Sequence, residues 1–237
     1  MPRNSSAGRS RDTALVLLTA ASGSVDALAF IALGHVFAGV MTGNLVLLAI
    51  GLGSRSPGDA GFALVALAGF SVAVVVTGRV LRPVNHLGAD GNRTGPGGSV
   101  GRGWWTGGVY ACLAVETFVL AVLGVVWAVV GGRPDGAERG ALIAVLAVAM
   151  GLQTGAMLAA GPGGAPTTYF TSTLSNLLIS PAGGLVAAAR VVALVVGAVG
   201  AAALHTWDPA WAALPPPLLT ATALILAMSK GPRRRGT

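Results

Sequence analysis

The sequence predicts an all-α polytopic membrane protein with about six transmembrane helices and two short broken or re-entrant segments, arranged as two related halves. Of its 237 residues, 54% are hydrophobic and only 10% are charged, and the mean hydropathy is +0.75. Such a balance lies outside that of soluble globular domains. Long apolar runs recur from end to end, and no stretch between them is polar enough for a separate soluble domain. We therefore treat residues 1–237 as a single integral membrane domain.

Six apolar runs are long enough, or nearly so, to cross about 30 Å of hydrocarbon at about 1.5 Å per residue. The last run is the weakest, because a proline triplet at 215–217 can stand only at or before the start of a helix. The first run follows a basic segment but leads to no clear small-residue cleavage site, so we expect it to be retained. The six runs cover residues 13–34, 60–82, 107–131, 139–160, 184–206 and 212–229.

Two further apolar runs, at 36–51 and 167–180, are shorter and carry several Thr, Ser, Asn or Gly residues. As straight helices they would reach only about 24 Å and about 21 Å. We expect them to return to the side they came from, which gives six crossings and makes the halves 13–131 and 139–229 inverted relative to each other. If both runs cross instead, the chain has eight crossings and the halves are parallel.

The net charge of +7 comes from arginines at the chain ends and in one loop, a distribution that orients a membrane protein and argues against a nucleic-acid partner. With six crossings, twelve of the fifteen Lys and Arg residues share one side, against Arg55, Arg133 and Arg139 on the other. We expect a bacterial inner-membrane protein with a basic cytoplasmic N-terminus (1–12), a flexible cytoplasmic loop (83–106) and a basic cytoplasmic tail (230–237). Eight crossings change the count by only one residue.

Asp26 lies near the middle of the first run, where an ionisable group is costly unless it is paired, hydrated or neutralised. One interpretation is a carboxylate that couples transport to a proton or cation, with Ser24, Thr42 and Asn44 supplying further oxygens. The other is a hydrogen-bonded structural Asp that braces a break in the helix. The sequence leaves both open.

The first short run contains Thr42, Gly43 and Asn44 in an otherwise apolar stretch. Non-helical backbone at membrane depth is tolerated only where it is buried in protein or lines a wet cavity, so we expect a break here that faces something other than lipid. The alternative is close helix packing through Gly39 and Gly43, which have the G-x-x-x-G spacing also seen at Gly151 and Gly155.

A weak but ordered match between the halves aligns Asp26 with Gln153, Thr42 with Thr171, and Asn44 with Thr173 or Asn176. Gln153 cannot carry a proton but can exchange hydrogen bonds with a solute or with a neighbouring helix. Glu116 is a second ionisable residue inside a long run. We expect it to pair with Arg190 as a structural contact.

Several chemistries are not supported by the sequence. Cys112 is the only cysteine, and His35 and His205 have no His, Cys or carboxylate neighbour at ligand spacing, so we expect neither a disulfide nor a metal site. The Gly-rich stretch 88–103 lacks the Gly-Lys-Ser/Thr of a nucleotide-binding loop. No nucleophile elbow or His-Glu-x-x-His helix is present, so we predict no catalytic residues, no cofactor and no enzymatic activity.

The segment "SGSVDALAFIALGHVFAGVMTGNLVLLAIGLG" closely resembles the first signature of the YoaK-like family of bacterial multi-pass membrane proteins. The second half, with "AMGLQTGAM" and "TTYFTSTLSNL", resembles that family's second signature, although Ser172 stands where relatives tend to have Gly. The resemblance covers most of residues 14–229 and implies a polytopic inner-membrane protein, but no activity. The matching residues are Gly23, Asp26, Phe37, Thr42, Gly43 and Asn44, then Gly151, Gln153, Thr168, Thr171, Thr173 and Asn176.

Together these features predict a small secondary transporter or permease for an unidentified small solute, with proton coupling if Asp26 titrates. The alternative is a membrane structural or interaction protein in which the same residues only join helices. The expected partners are the lipid bilayer, the solute and a second copy of the chain in a homodimer. The predicted substrate- or ion-binding residues are Asp26, Thr42, Gly43, Asn44, Gln153, Thr171, Thr173 and Asn176, with Ser24 and Glu116 as secondary candidates.

Overall fold

A computed structural model describes residues 6–89, 105–161, 170–179 and 184–229. Within these ranges the chain forms eight α-helices and one short 3₁₀ helix, Pro209–Trp211, which precedes the last of them. The α-helices are α1 (Ser6–Ala32), α2 (Met41–Gly53), α3 (Pro57–Ala89), α4 (Gly107–Val129), α5 (Gly136–Ala159), α6 (Phe170–Ile179), α7 (Gly184–Trp207) and α8 (Pro215–Ser229).

Six segments of the described chain are long and apolar enough to cross a membrane, and each coincides with a predicted run. Four begin at other residues than predicted. The α1 helix starts at Ser6 rather than at 13 and α5 at Gly136 rather than at 139, and two helices start with proline, α3 at Pro57 rather than at 60 and α8 at Pro215 rather than at 212. Proline is favoured in the first turn of a helix because its missing N–H would have no partner there. The prediction of an all-helical polytopic membrane protein is confirmed.

Two separate apolar clusters mark opposite ends of the helix bundle. The cluster at the "N-terminal end" contains the beginnings of α1 and α4 and the later parts of α3, α5 and α8. The cluster at the "hairpin end" contains the later parts of α1, α4 and α7 and the beginnings of α3 and α5. Tyr110 Oη of α4 donates to the Ala227 carbonyl of α8 at 3.2 Å, which agrees with the antiparallel course of these two helices.

These clusters also determine the course of the two short helices. The α1 helix ends and α3 begins at the hairpin end, so α2 starts and finishes at that end. At the other end, α5 finishes in the N-terminal cluster, whereas α7 reaches the hairpin cluster only at Ala201, late in its length. The α6 helix therefore connects two helices at the N-terminal end. This course corresponds to six crossings with two returning segments.

The long helices pack mainly on helices that are distant in sequence. The α1 helix lies against α7 and α8, and α5 lies against α3 and α4, while α4 also contacts α8. Two glycines permit the closest approaches. A Cβ on Gly23 would collide with the Leu194 carbonyl of α7, and a Cβ on Gly151 would lie 2.6 Å from the Phe70 carbonyl oxygen of α3. Small residues at these crossings let the helix backbones come into contact.

Candidate functional site

A layer of buried polar side chains separates the two apolar clusters. On α4, Glu116 stands between Leu113 of the N-terminal cluster and Leu120 of the hairpin cluster. The same order recurs on α1, α3 and α5, and Thr220 of α8 stands in the sequence between Ala213 of the hairpin cluster and Ala223 of the N-terminal cluster. We call this set the polar layer, and its members are Ser22, Thr77, Glu116, Gln153, Thr154 and Thr220.

The centre of the polar layer is a side-chain pair that joins α4 to α5. Gln153 Nε2 donates a hydrogen bond of 2.8 Å to Glu116 Oε1, and neither residue has any exposed surface. The other carboxyl oxygen, Glu116 Oε2, is buried and has no hydrogen-bond partner among the described residues. Buried carboxyl oxygens ordinarily accept a hydrogen bond, so this oxygen is available to a hydrogen-bond donor.

The polar layer also contains four buried hydroxyl groups. The oxygens of Ser22, Thr77 and Thr154 are buried without a hydrogen-bond partner in the described structure. Thr220 differs, because its hydroxyl donates to carbonyl oxygens of its own helix, such as that of Pro216 at 3.1 Å. A hydroxyl can both donate and accept. The layer therefore offers several unsatisfied polar atoms to a small polar species.

Asp26, the leading candidate from the sequence, lies elsewhere. Its Oδ1 accepts a hydrogen bond of 2.7 Å from the Gly39 backbone amide. Gly39 belongs to the connection between α1 and α2 at the hairpin end. The geometry is that of a side chain that fixes a loop, as in the structural alternative.

Asn44 holds the same connection from its other side. Its Oδ1 accepts from the Phe37 amide at 2.9 Å, and its Nδ2 donates to the Phe37 carbonyl at 2.6 Å. One fully buried side chain thus satisfies both backbone groups of one residue. We call residues 33–40, together with Asp26 and Asn44, the α1–α2 corner.

The predicted break at Thr42, Gly43 and Asn44 is displaced in the structure. These three residues form the first turn of α2, and the non-helical backbone lies just upstream, where Gly34 and His35 have positive φ angles of 105° and 58°. The reason is that the Asn44 side chain bonds to the backbone of residue 37 and so stabilises the irregular stretch from within the helix.

The other residues of the first signature have mixed surroundings. Thr42 is exposed, and Gly43 packs against Phe37, whose ring would lie 3.0 Å from a Cβ at that glycine. Ser24 Oγ donates to the Gly197 carbonyl of α7 at 2.9 Å and is within 3.0 Å of the Ala20 carbonyl. It therefore joins two helices at their closest crossing.

The structure does not bring the predicted residues of the two halves into one contact. Asp26 bonds to the α1–α2 corner, whereas Gln153 bonds to Glu116. Thr173 is half-buried on α6 and takes part in an interaction. The side chains of Thr171 and Asn176, and the whole of Thr168, lie outside the described residues.

The predicted pairing of Glu116 with Arg190 is wrong. Arg190 is buried on α7, and its Nε donates to Thr19 Oγ1 of α1 at 3.4 Å. Glu116 faces α5, because α4 and α5 form a helical hairpin that places the polar residues of both helices opposite each other. Sequence reasoning missed the pair with Gln153, although the two residues stand at similar distances from the short α4–α5 connection.

Comparison with known proteins places these features in a family. The family described as "Protein of unknown function (DUF1275)" matches residues 14–226. The chain is 32% identical over 176 residues to the "UPF0700 transmembrane protein YoaK" of Bacillus subtilis (strain 168). That alignment covers 74% of this chain and 69% of the relative. No solved structure matches.

Proposed function

Because the chain belongs to the DUF1275 family of transmembrane proteins, whose function is unknown, we propose a function from the site itself: a small secondary transporter or permease for a small polar solute, coupled to protons. The observation that carries the proposal is the polar layer, with the buried pair of Glu116 and Gln153 at its centre. The proposal assigns no catalytic activity to the chain.

The position of this layer is what favours transport. Ionisable and polar side chains inside membrane helices are costly, and where they occur they commonly mark the path of a substrate or proton. Here they lie between two apolar clusters that separate them from both ends of the bundle. A site that is closed at both ends and polar in the middle is the occluded state expected of a carrier that opens to one side at a time.

The packing of the two halves supports the same function. If α1–α4 and α5–α8 are equivalent, the contact of α1 with α7 corresponds to that of α5 with α3, and the contact of α1 with α8 corresponds to that of α5 with α4. Both pairs of contacts occur. With α2 and α6 returning to opposite ends, equivalent halves would form an inverted repeat, which is a recurrent architecture of secondary transporters.

The glycine contacts refine the alignment of the two halves. Gly23 approaches α7 as Gly151 approaches α3, so the equivalent positions differ by 128 residues. Asp26 then corresponds to Thr154 rather than to Gln153. The two halves therefore differ at this position, since the first half has a carboxylate bound to the α1–α2 corner where the second has a hydroxyl of the polar layer.

We assign the N-terminal end of the bundle to the cytoplasm of a bacterial cell. Leu81 and Trp105 both belong to the cluster at that end, and so do Ala223 and Ala227 near the end of α8. In the sequence, the arginines from 82 to 102 stand between Leu81 and Trp105, and the basic tail follows α8. The hairpin end has Arg55, Arg133 and Arg139. The excess of basic residues marks the cytoplasmic side, so both termini are cytoplasmic.

A flux measurement tests the proposal. The purified full chain is reconstituted in lipid vesicles with an imposed pH gradient and a defined mixture of amino acids, sugars, carboxylates and nucleobases. Mass spectrometry then quantifies the vesicle contents. We expect at least one solute to accumulate several-fold above the level in empty vesicles, and Gln153→Leu to abolish the accumulation. Thr222→Val, on the exposed face of α8, serves as the matched control and should transport normally.

Two results would count against transport. One is the absence of accumulation for every solute although the protein is inserted and folded. The other is equal accumulation with Gln153→Leu and wild type, since the polar layer would then have no part in the flux.

A second function is favoured by the α1–α2 corner. Asp26 and Asn44 bond to backbone groups, and Ser24 joins α1 to α7, so these signature residues serve the architecture of the bundle. A structural or interaction protein would need nothing more. In that case substitutions in the polar layer would change the stability or the binding of a membrane partner, with no flux to lose.

A further inference from the structure

Glu116 has only part of the surroundings that a buried carboxylate needs. Its single hydrogen bond comes from the neutral amide of Gln153, and Oε2 receives none from the described residues. No ion pair within the described chain involves Glu116. A buried ionised carboxylate is stabilised by a counter-charge or by several donors, and the described residues give this one neither.

The elements packed against α4 bring no charge to it. On α3 the charged residues whose side chains the structure describes are Asp59, in the first turn, and Arg79, about three turns before the helix end, and both are exposed. On α5 they are Glu138 and Arg139, in the first turn. The α8 helix has no charged residue, and the 3₁₀ helix is preceded by Asp208. On α4 itself the nearest titratable group is the Cys112 thiol, one turn away.

We propose that Glu116 binds a proton at Oε2 in the closed bundle, and that it, rather than Asp26, is the proton-carrying group of the protein. Protonation makes the side chain neutral without breaking the bond that Oε1 accepts from Gln153 Nε2. It also turns Oε2 from an unsatisfied acceptor into a donor. The hydroxyl oxygens of Ser22, Thr77 and Thr154 in the same layer have no partner in the described part of the chain, and they can accept from water or a solute that enters.

Asp26 has the opposite surroundings. Its Oδ1 accepts a hydrogen bond of 2.7 Å from the Gly39 backbone amide. It also lies at the corner of the bundle, beside the α1–α2 connection. The two buried acids therefore differ in their partners: Asp26 is bound to the backbone of a connection, whereas Glu116 keeps one oxygen without a partner among the described residues.

The role in coupling rests on the proposed transport function, whereas the bound proton does not. In coupling, Oε2 takes a proton from the solution on one side and releases it to the other when the bundle reopens. No other reactant is consumed. Gln153 acts as a positioning residue, because its amide holds Oε1 and so directs Oε2 into the polar layer.

Infrared spectroscopy of the full chain in lipid films tests the proton site directly. A protonated carboxylic acid has its own C=O stretching band, separate from those of carboxylates and of the backbone. We expect this band in the wild type at neutral pH, a loss of one protonated carboxyl group per chain in Glu116→Gln, and no loss in Asp26→Asn. If Glu116→Gln does not fold, Glu116→Asp serves instead and should shift the band.

Several results would overturn the proposal: no such band in the wild type, a band that persists unchanged in Glu116→Gln, or a band that disappears in Asp26→Asn alone. A solute-dependent uptake of protons by vesicles, followed with a trapped pH dye, tests the coupling separately. If the band belongs to Glu116 but no solute moves protons, the proton site stands and the transport function fails.

Discussion

The α1–α2 corner and the polar layer each contain a buried acid, but they use it differently. Asp26 and Asn44 bond to backbone amides and carbonyls of one connection, so the corner is a closed unit. Glu116 bonds to one side chain and keeps an oxygen without a partner. The comparison shows that the role of an intramembrane acid is indicated more by its hydrogen-bond partners than by its depth in the membrane. Four predictions test this difference.

The largest effect on stability is expected from Asn44→Leu. This change removes both hydrogen bonds to Phe37 and leaves the partly buried amide and carbonyl of that residue without their partner, at a cost of about 2 to 5 kcal/mol. The measurement is the free energy of unfolding in mixed micelles with increasing SDS. A loss below about 1 kcal/mol would mean that water replaces the amide and that the corner is not closed.

Asp26→Leu should have the next largest effect. It removes the acceptor of the Gly39 amide, which destabilises the protein by about 1 to 3 kcal/mol in the same assay. Asp26→Asn keeps an acceptor oxygen of the same shape, so it should recover most of that loss and leave solute flux intact. If Asp26→Asn is as stable as wild type but inactive in flux, Asp26 has the coupling role and the contrast between the two regions is lost.

Glu116→Gln should change stability by about 1 kcal/mol or less, because the new amide keeps an oxygen that accepts from Gln153. Its effect should appear in function, as the loss of solute-dependent proton uptake by vesicles. Unfolding and proton uptake are therefore measured on the same preparation. A strongly destabilised variant would place Glu116 with the structural residues of the corner.

Thr42→Val should have the smallest effect, within about 0.5 kcal/mol in the unfolding assay, because this side chain is exposed on the first turn of α2. It is the matched comparison for Asn44, two residues away in the same motif. A marked destabilisation would show that the Thr hydroxyl contributes to the corner.

The sequence was sufficient to predict the architecture. The length of the apolar runs identified the six long helices, and the shortness of the run at 36–51 predicted that α2 returns to the side from which it came. Both signals depend on the thickness of the bilayer and not on contacts with neighbouring helices. The location of the break was not predictable in the same way. It depends on a side chain, Asn44, that folds back on residue 37, and composition alone does not reveal that contact.

The candidate site was predicted only in part. Asp26 and Gln153 were identified because they are polar residues in apolar runs, but their partners follow from how the helices are arranged. Glu116 meets Gln153 because α4 and α5 form a hairpin, and Arg190 meets Thr19 because α1 lies against α7. The hydroxyls of Ser22, Thr77 and Thr154 gave no sequence signal, since Ser and Thr are common in membrane helices.

The packing of α1 also has a consequence for biosynthesis. Its window is the most deeply buried of the six candidate spans, yet it is the first to leave the ribosome, and its main neighbours, α7 and α8, are the last. Until α7 and α8 are inserted, Ser24 and Gly23 lack the helix that they contact in the folded bundle and face lipid instead. The packing of α1 is thus completed only at the end of translation. In a chain truncated after α6, α1 would lack its main neighbours and would be open to membrane proteases.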